Sequence, residues 1–161
     1  MTTADDTALP AYVLVVEDER DISLLMTMVL TRAGYRVDNA SDGIAGWEML
    51  RTTGYDLLIT DNNMPSVTGL DLIKKARADG MMLPVILTSG MMPTEDIDKN
   101  PWLQIDALLA KPFTPDALLS TVRSVLQATR IARAEVDFPM LSETVHDLDV
   151  IVPPKTPPPP Q

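Results

Sequence analysis

Cysteine is absent from the 161 residues, which rules out disulfides and thiolate metal sites and leaves the redox compartment open. Basic charge is scarce, with 13 Lys and Arg against 23 Asp and Glu and a formal charge of −10. A nucleic-acid surface needs clustered positive charge, so no DNA or RNA partner is expected, while a protein partner is unaffected. Long apolar runs are also missing. None approaches the roughly 18 residues of a membrane span, and the opening MTTADDTALPA has two acids and no apolar core of signal-peptide length. These absences predict a soluble, cytoplasmic protein without membrane contact. What is present, 45% apolar residues in a chain of this length, suits one domain with tails.

The chain is organised around Tyr55 to Gly69, YDLLITDNNMPSVTG, where an apolar run leads into a carboxylate. Leu57 to Thr60 is short, apolar and followed by turn formers, the pattern of a strand buried on both faces of a parallel sheet. Asp61 then falls at its carboxyl end, where open α/β sheets bind ligands. Tyr12 to Val16 is a second such strand, ending in Glu17-Asp18-Glu19. Behind it Ile22, Leu25, Met26, Val29 and Leu30 mark an amphipathic helix stopped at Gly34.

Tyr35 to Ala40 alternates like an outer strand, and Ser41-Asp42 can cap a helix using Ile44, Trp47 and Leu50. A third helix, about Leu70 to Asp79, uses Leu72, Ile73 and Ala76, and Pro84 to Gly90 is a fourth strand ending in Thr88 and Ser89. Thr94 to Asn100 has room for a short helix only, because Pro101 removes an N–H and disfavours α geometry at Asn100. Ala107 to Ala110 is a fifth strand leading into Lys111-Pro112-Phe113. The last helix has Thr114 as cap, Pro115 in its first turn and Leu118, Val122, Val125 and Leu126 as its stripe, fraying across Arg130 to Glu135. Five strands alternating with five helices predict a doubly wound, five-stranded parallel α/β sheet covered on both faces. The domain expectation is an arm over 1–10, a folded domain over 11–130 and an acidic, proline-rich tail over 131–161.

Glu17, Asp18, Asp61, a hydroxyl from Thr88 or Ser89, and Lys111 thus meet at one rim of the sheet. Three adjacent carboxylates repel one another unless a cation sits among them, and Mg²⁺ commonly binds through one or two carboxylates, waters and phosphate. A hydroxyl and an ammonium suit phosphoryl oxygens. Asp61 is then the candidate nucleophile, forming an aspartyl phosphate.

These motifs in this order resemble a response-regulator receiver domain of two-component signalling, over about Ala11 to Thr129. The acidic pair, the pattern D-x-x-M-P-x-x-x-G at Asp61, Met64, Pro65 and Gly69, the pair Ser89-Gly90, and Lys111-Pro112-Phe113 carry the likeness. The resemblance implies a flavodoxin-like sheet of order 2-1-3-4-5. It implies Asp61 as phosphoacceptor, Asp18 as direct Mg²⁺ ligand, Glu17 as a ligand acting mainly through water, and the backbone carbonyl of Asn63 as a further ligand. Ser89 resembles the switch hydroxyl, with Thr88 the alternative register, and Lys111 resembles the lysine that pairs with acceptor and phosphate. The Lys111-Pro112 bond is cis in that family. Its donors are histidine kinases or phosphotransfer proteins. Such a chain is not an enzyme, beyond taking phosphate onto itself and hydrolysing it.

Two positions depart from the family. Leu108 stands where an aromatic rotamer switch is common, and Pro101 interrupts the fourth helix. They leave open a receiver-like interaction module that no longer switches. A dehalogenase-type aspartyl phosphatase is disfavoured, since Asp61-Asn62-Asn63 lacks the second Asp of D-x-D. The reading is a stand-alone receiver without an output domain, acting on an unknown downstream protein, with a homodimer left open. Trp47 and Trp102 read as packing, His146 as a bland tail residue and Met81-Met82 and Met91-Met92 as gap fillers or loop apolar contacts. In the tail, Leu141, Val145, Leu148 and Val152 recur at helical spacing, so a docking segment and an incidental pattern are equally open.

Overall fold

The computed structural model describes residues 8–137. Strands β1 (Tyr12–Val16), β2 (Arg36–Ala40), β3 (Leu57–Asp61), β4 (Val85–Ser89) and β5 (Ala107–Ala110) form one sheet in the order β2-β1-β3-β4-β5. All four pairings are parallel, as the sequence predicts. Between them run α1 (Arg20–Arg32), α2 (Gly43–Thr52), α3 (Gly69–Ala78) and α4 (Thr94–Lys99), and α5 (Pro115–Asp137) follows β5. Every residue of β3 and β4 is buried. A strand with helices on both faces is apolar along most of its length, which is why these segments read as runs rather than alternations until their polar carboxyl ends.

Alternation across the sheet divides the core. Leu14, Val16, Leu58, Val85 and Leu87 pack with Leu72, Ile73 and Ala76 of α3 and Leu50 of α2. Val13, Val15, Leu57, Ile59 and Ile86 pack on the other face with Met26 and Leu30 of α1 and Leu118, Val122 and Val125 of α5.

Local chemistry sets the element ends. Asp42 caps α2 by accepting from the Ala45 N–H at 2.7 Å, and Thr68 and Asp71 form a reciprocal capping box on α3. The Thr114 hydroxyl accepts from the Ala117 N–H at 3.1 Å, the predicted cap of α5. Gly34 and Gly80 leave α1 and α3 at φ +96° and +80°, a region that side chains disfavour. The fourth helix is indeed short, and Pro101 opens a 3-10 turn, Pro101–Leu103, that drives Leu103 into the core.

Two stripe assignments are corrected. Leu25 is 44% exposed and Ile44 is 61% exposed. In α2 the inward positions are Gly43, Gly46 and Leu50, with Trp47 partly buried. A Cβ on Gly46 would lie 2.9 Å from Val16 Cγ2, so the helix sits too close to β1 for larger contact residues. Periodicity in apolar side chains overlooks a face built from glycine. Trp102, expected as packing, is half exposed and donates its ring N–H to Asn100 Oδ1 at 3.2 Å.

The chain divides into compact units at Gln127 and Ala128. Helix α5 runs through Arg130 to Glu135, the stretch expected to fray, and ends at Asp137, and in its last turns Ile131 and Val136 are exposed. His146, the apolar tail residues and the proline run lie outside the described residues, as does most of the N-terminal arm.

Candidate functional site

The carboxyl ends of β1, β3 and β5 bring Glu17, Asp18, Asp61 and Lys111 together. Glu17 and Asp61 are each 2% exposed, Asp18 lies open to solvent, and one carboxylate oxygen from each of the three falls within 4.8 Å of the others. The Lys111 ammonium donates to Glu17 Oε2 at 2.8 Å and sits 3.3 Å from Asp61 Oδ1. The second contact is an ion pair without hydrogen-bond alignment, so Asp61 Oδ1 is buried with no hydrogen-bond partner. Glu17 is fully engaged, since its Oε1 accepts from the Glu19 N–H at 3.1 Å.

Burial pushes the Glu17 carboxyl above its ordinary value; hydrogen bonds from Lys111 and Glu19 oppose the rise, and the charge of Asp61 adds to it. Burial alone would lower the Lys111 ammonium, but the hydrogen bond and charge of Glu17, and then Asp61, outweigh it and the net shift is upward. Lys111 therefore stays charged near neutrality, facing two buried carboxylates and a third at the rim. That excess of negative charge, carried on hard oxygen donors and including a buried oxygen that accepts no hydrogen bond, fits a divalent ion of the Mg²⁺ type.

The loop after β3 is pinned by its own groups. The Asn62 N–H donates to Thr88 O at 2.9 Å, and Asn62 Oδ1 accepts from the Leu70 N–H at 3.1 Å. Helix α3 thus begins against the site, and a Cβ on Gly69 would come within 2.4 Å of Asp61 O. The Lys111-Pro112 bond is cis, as the resemblance implies.

The two hydroxyls at the end of β4 separate. The Ser89 hydroxyl donates to Met91 O at 2.7 Å and accepts from the Met91 N–H at 3.2 Å and the Asn63 side-chain amide at 3.3 Å. Thr88 is 1% exposed, and its Oγ1 has no hydrogen-bond partner. Leu108 is 45% exposed on β5.

A family model described as the response regulator receiver domain matches residues 13–123. The chain belongs to the response-regulator receiver family. Among curated relatives, the probable transcriptional regulatory protein SilR of Salmonella typhimurium is 36% identical over 115 residues, 71% of this chain and 50% of its own length. The transcriptional regulatory protein CusR of Escherichia coli K12 is 36% identical over 125 residues, 78% of this chain and 55% of its own. This receiver therefore spans about half the length of the curated relatives it matches. Among solved structures, the chemotaxis protein CheY4 of Vibrio cholerae superposes with a TM-score of 0.68 at 30% identity, over 72% of this chain and 98% of its own. The receiver domain of the Francisella response regulator 1452 gives 0.68 at 28% identity, over 74% and 98%. The receiver is a two-component signalling domain rather than a conventional enzyme, and its relatives are response regulators. This assignment leaves the dehalogenase-type phosphatase without support. Among the described residues no helix is long and apolar enough to cross a membrane.

Four features were not read from the sequence: the Asn62 side chain as a tie to α3, the separation of Thr88 from Ser89, and two clusters away from the site. Arg77 donates to the carbonyls of Leu103, Met81, Leu83 and Gln104 at 2.8 to 3.2 Å. Tyr12 and Tyr55 both donate to Asp38 Oδ2. No sequence motif marks either cluster, since the acceptors are backbone carbonyls or lie on another strand.

Proposed function

We propose that this receiver accepts a phosphoryl group on Asp61 from a histidine kinase or phosphotransfer protein, and signals by binding a downstream protein in the cytoplasm. The observation that carries the reading is the buried Asp61 carboxylate whose Oδ1 accepts no hydrogen bond and is ion-paired with the Lys111 ammonium at 3.3 Å. Asp61 attacks phosphorus in line while the donor leaves with its bonding electrons. Lys111 stays protonated and offers its charge first to the carboxylate and then to a phosphoryl oxygen. Ser89 reaches a phosphoryl oxygen by giving up its bond to Met91 O, a single hydroxyl rotation that makes the loop sensitive to the phosphate. Asp18 and Asp61, the backbone carbonyl of Asn63, and Glu17 through water would hold Mg²⁺. When bound, the ion neutralises the carboxylates and the incoming phosphoryl charge.

A receiver-like module that no longer switches is the second reading, motivated by exposed Leu108 and the short α4. A beryllofluoride titration followed by NMR separates the two. Mg²⁺-dependent shifts at Asp61 that spread to α4 and β5 support the switching receiver, and an unchanged spectrum supports the inert module.

A further inference from the structure

We propose that Thr88 is a positioning residue for Asp61, its hydroxyl hydrogen-bonding the carboxyl group from the α1 and α5 side of the sheet. The proposal rests on the reading of Asp61 as acceptor, and it gives Thr88 a role separate from that of Ser89.

Thr88 pairs in register with Asp61 across β3 and β4. Registered neighbours in a parallel sheet have adjacent side chains on the same face. Two residues earlier, Ile59 and Ile86 both pack with Met26, Leu118 and Val122, so Asp61 and Thr88 point to that side. Leu87 packs on the opposite face, and Ser89 follows it. The two hydroxyls therefore approach the rim from opposite sides of β4.

Thr88 Oγ1 and Asp61 Oδ1 are both buried without a hydrogen bond, Oδ1 holding only the ion pair to Lys111 at 3.3 Å. Valine has the same shape as threonine, and the other residues of β4 before the terminal Ser89 are Val85, Ile86 and Leu87. A buried hydroxyl without a partner carries a desolvation cost that valine would avoid. Rotation about the Thr88 Cα–Cβ bond is a change that needs no backbone movement. With the hydroxyl donating to one carboxylate oxygen, the plane of the carboxylate is fixed and the other oxygen presents its lone pair to phosphorus. Lys111 lies 3.3 Å from Asp61 Oδ1 without an aligned hydrogen bond, so it supplies charge there, and the Thr88 hydroxyl supplies direction. In the reaction the bond from phosphorus to the donor oxygen breaks, the bond to the Asp61 oxygen forms, and the Thr88 proton stays where it is.

The test compares wild type, Thr88→Val and Thr88→Ser as full chains, labelled by acetyl phosphate with Mg²⁺ over a range of donor concentrations and read by intact mass. The expected result is a maximal rate about tenfold lower in the valine variant, the scale of one hydrogen bond to a charged group, with an unchanged half-saturating concentration. The serine variant should recover to within about twofold, because it keeps the donor. The valine variant should melt at or above the wild-type temperature. Valine labelled at the wild-type rate, serine as slow as valine, or valine slow and much less heat-stable each overturns the role of Thr88. Wild type that takes no phosphate on Asp61 overturns the acceptor reading along with it.

Discussion

Lys111 Nζ and Glu17 Oε2 lie 2.8 Å apart although 94 residues separate them in the chain. The contact joins the ends of β1 and β5, which are not neighbours in the sheet, and it passes over Asp61 on β3. One ammonium thus holds the rim of the sheet together and leaves the Asp61 carboxylate only partly compensated.

The switch is predicted to run through Ser89 without an aromatic partner, because Leu108 has no polar tip. Ser89→Ala removes the hydroxyl that links Met91 and Asn63. In NMR spectra of the beryllofluoride complex, shifts at Asp61 should persist while those in α4 and β5 shrink; unchanged distant shifts reject the coupling.

Gly69→Ala is predicted to destabilise the fold by about 3 kcal/mol, as overpacking against unyielding atoms does. The added Cβ meets Asp61 O at 2.4 Å and Asn62 Cα at 3.0 Å, both backbone. Urea unfolding measures the loss, and beryllofluoride affinity should fall with it because the displaced segment carries Asp61.

Arg77 ties the end of α3 to the 3-10 turn through the carbonyls of Leu103 and Gln104, and to the loop before β4 through those of Met81 and Leu83. Arg77→Ala should cost about 3 kcal/mol, and Arg77→Lys should recover little, since an ammonium cannot reproduce the planar fork. Hydrogen exchange should show the loss first at Leu103 and Gln104; uniform loss across the sheet argues against a local clamp.

Burial, then the hydrogen bond to Asp38 and its charge, hold the Tyr55 phenol far above its ordinary value of 10.0. The folded state keeps this proton where the unfolded chain has lost it. Stability linked to Tyr55 is therefore full below pH 10 and declines as pH rises past it. Relative to Tyr55→Phe, which has nothing to titrate, the wild-type urea midpoint should fall between neutral and strongly alkaline pH. A constant difference contradicts the linkage.

The sequence carried most of the fold because β1, β3 and β4 are buried on both faces and must be continuous apolar runs. Asp61 and Glu17 were legible for the same reason, since a charged residue ending such a run has only the rim to occupy; Lys111 was legible from its Lys-Pro-Phe motif after β5, an edge strand that is only partly buried. The exposed Ile44 was misplaced because α2 packs through Gly43 and Gly46. Arg77 was invisible because its partners are main-chain carbonyls that any sequence supplies. Thr88 and Ser89 were interchangeable on paper, and only the packing of Ile86 and Leu87 on opposite faces tells them apart.

The central claim, that Asp61 is the phosphoacceptor in a site completed by Mg²⁺, is tested most directly by intact-mass measurement after incubation with acetyl phosphate. Wild type should gain one phosphate with Mg²⁺ and none with excess chelator, and Asp61→Asn should gain none under either condition. The same phosphate increment in Asp61→Asn would contradict the account.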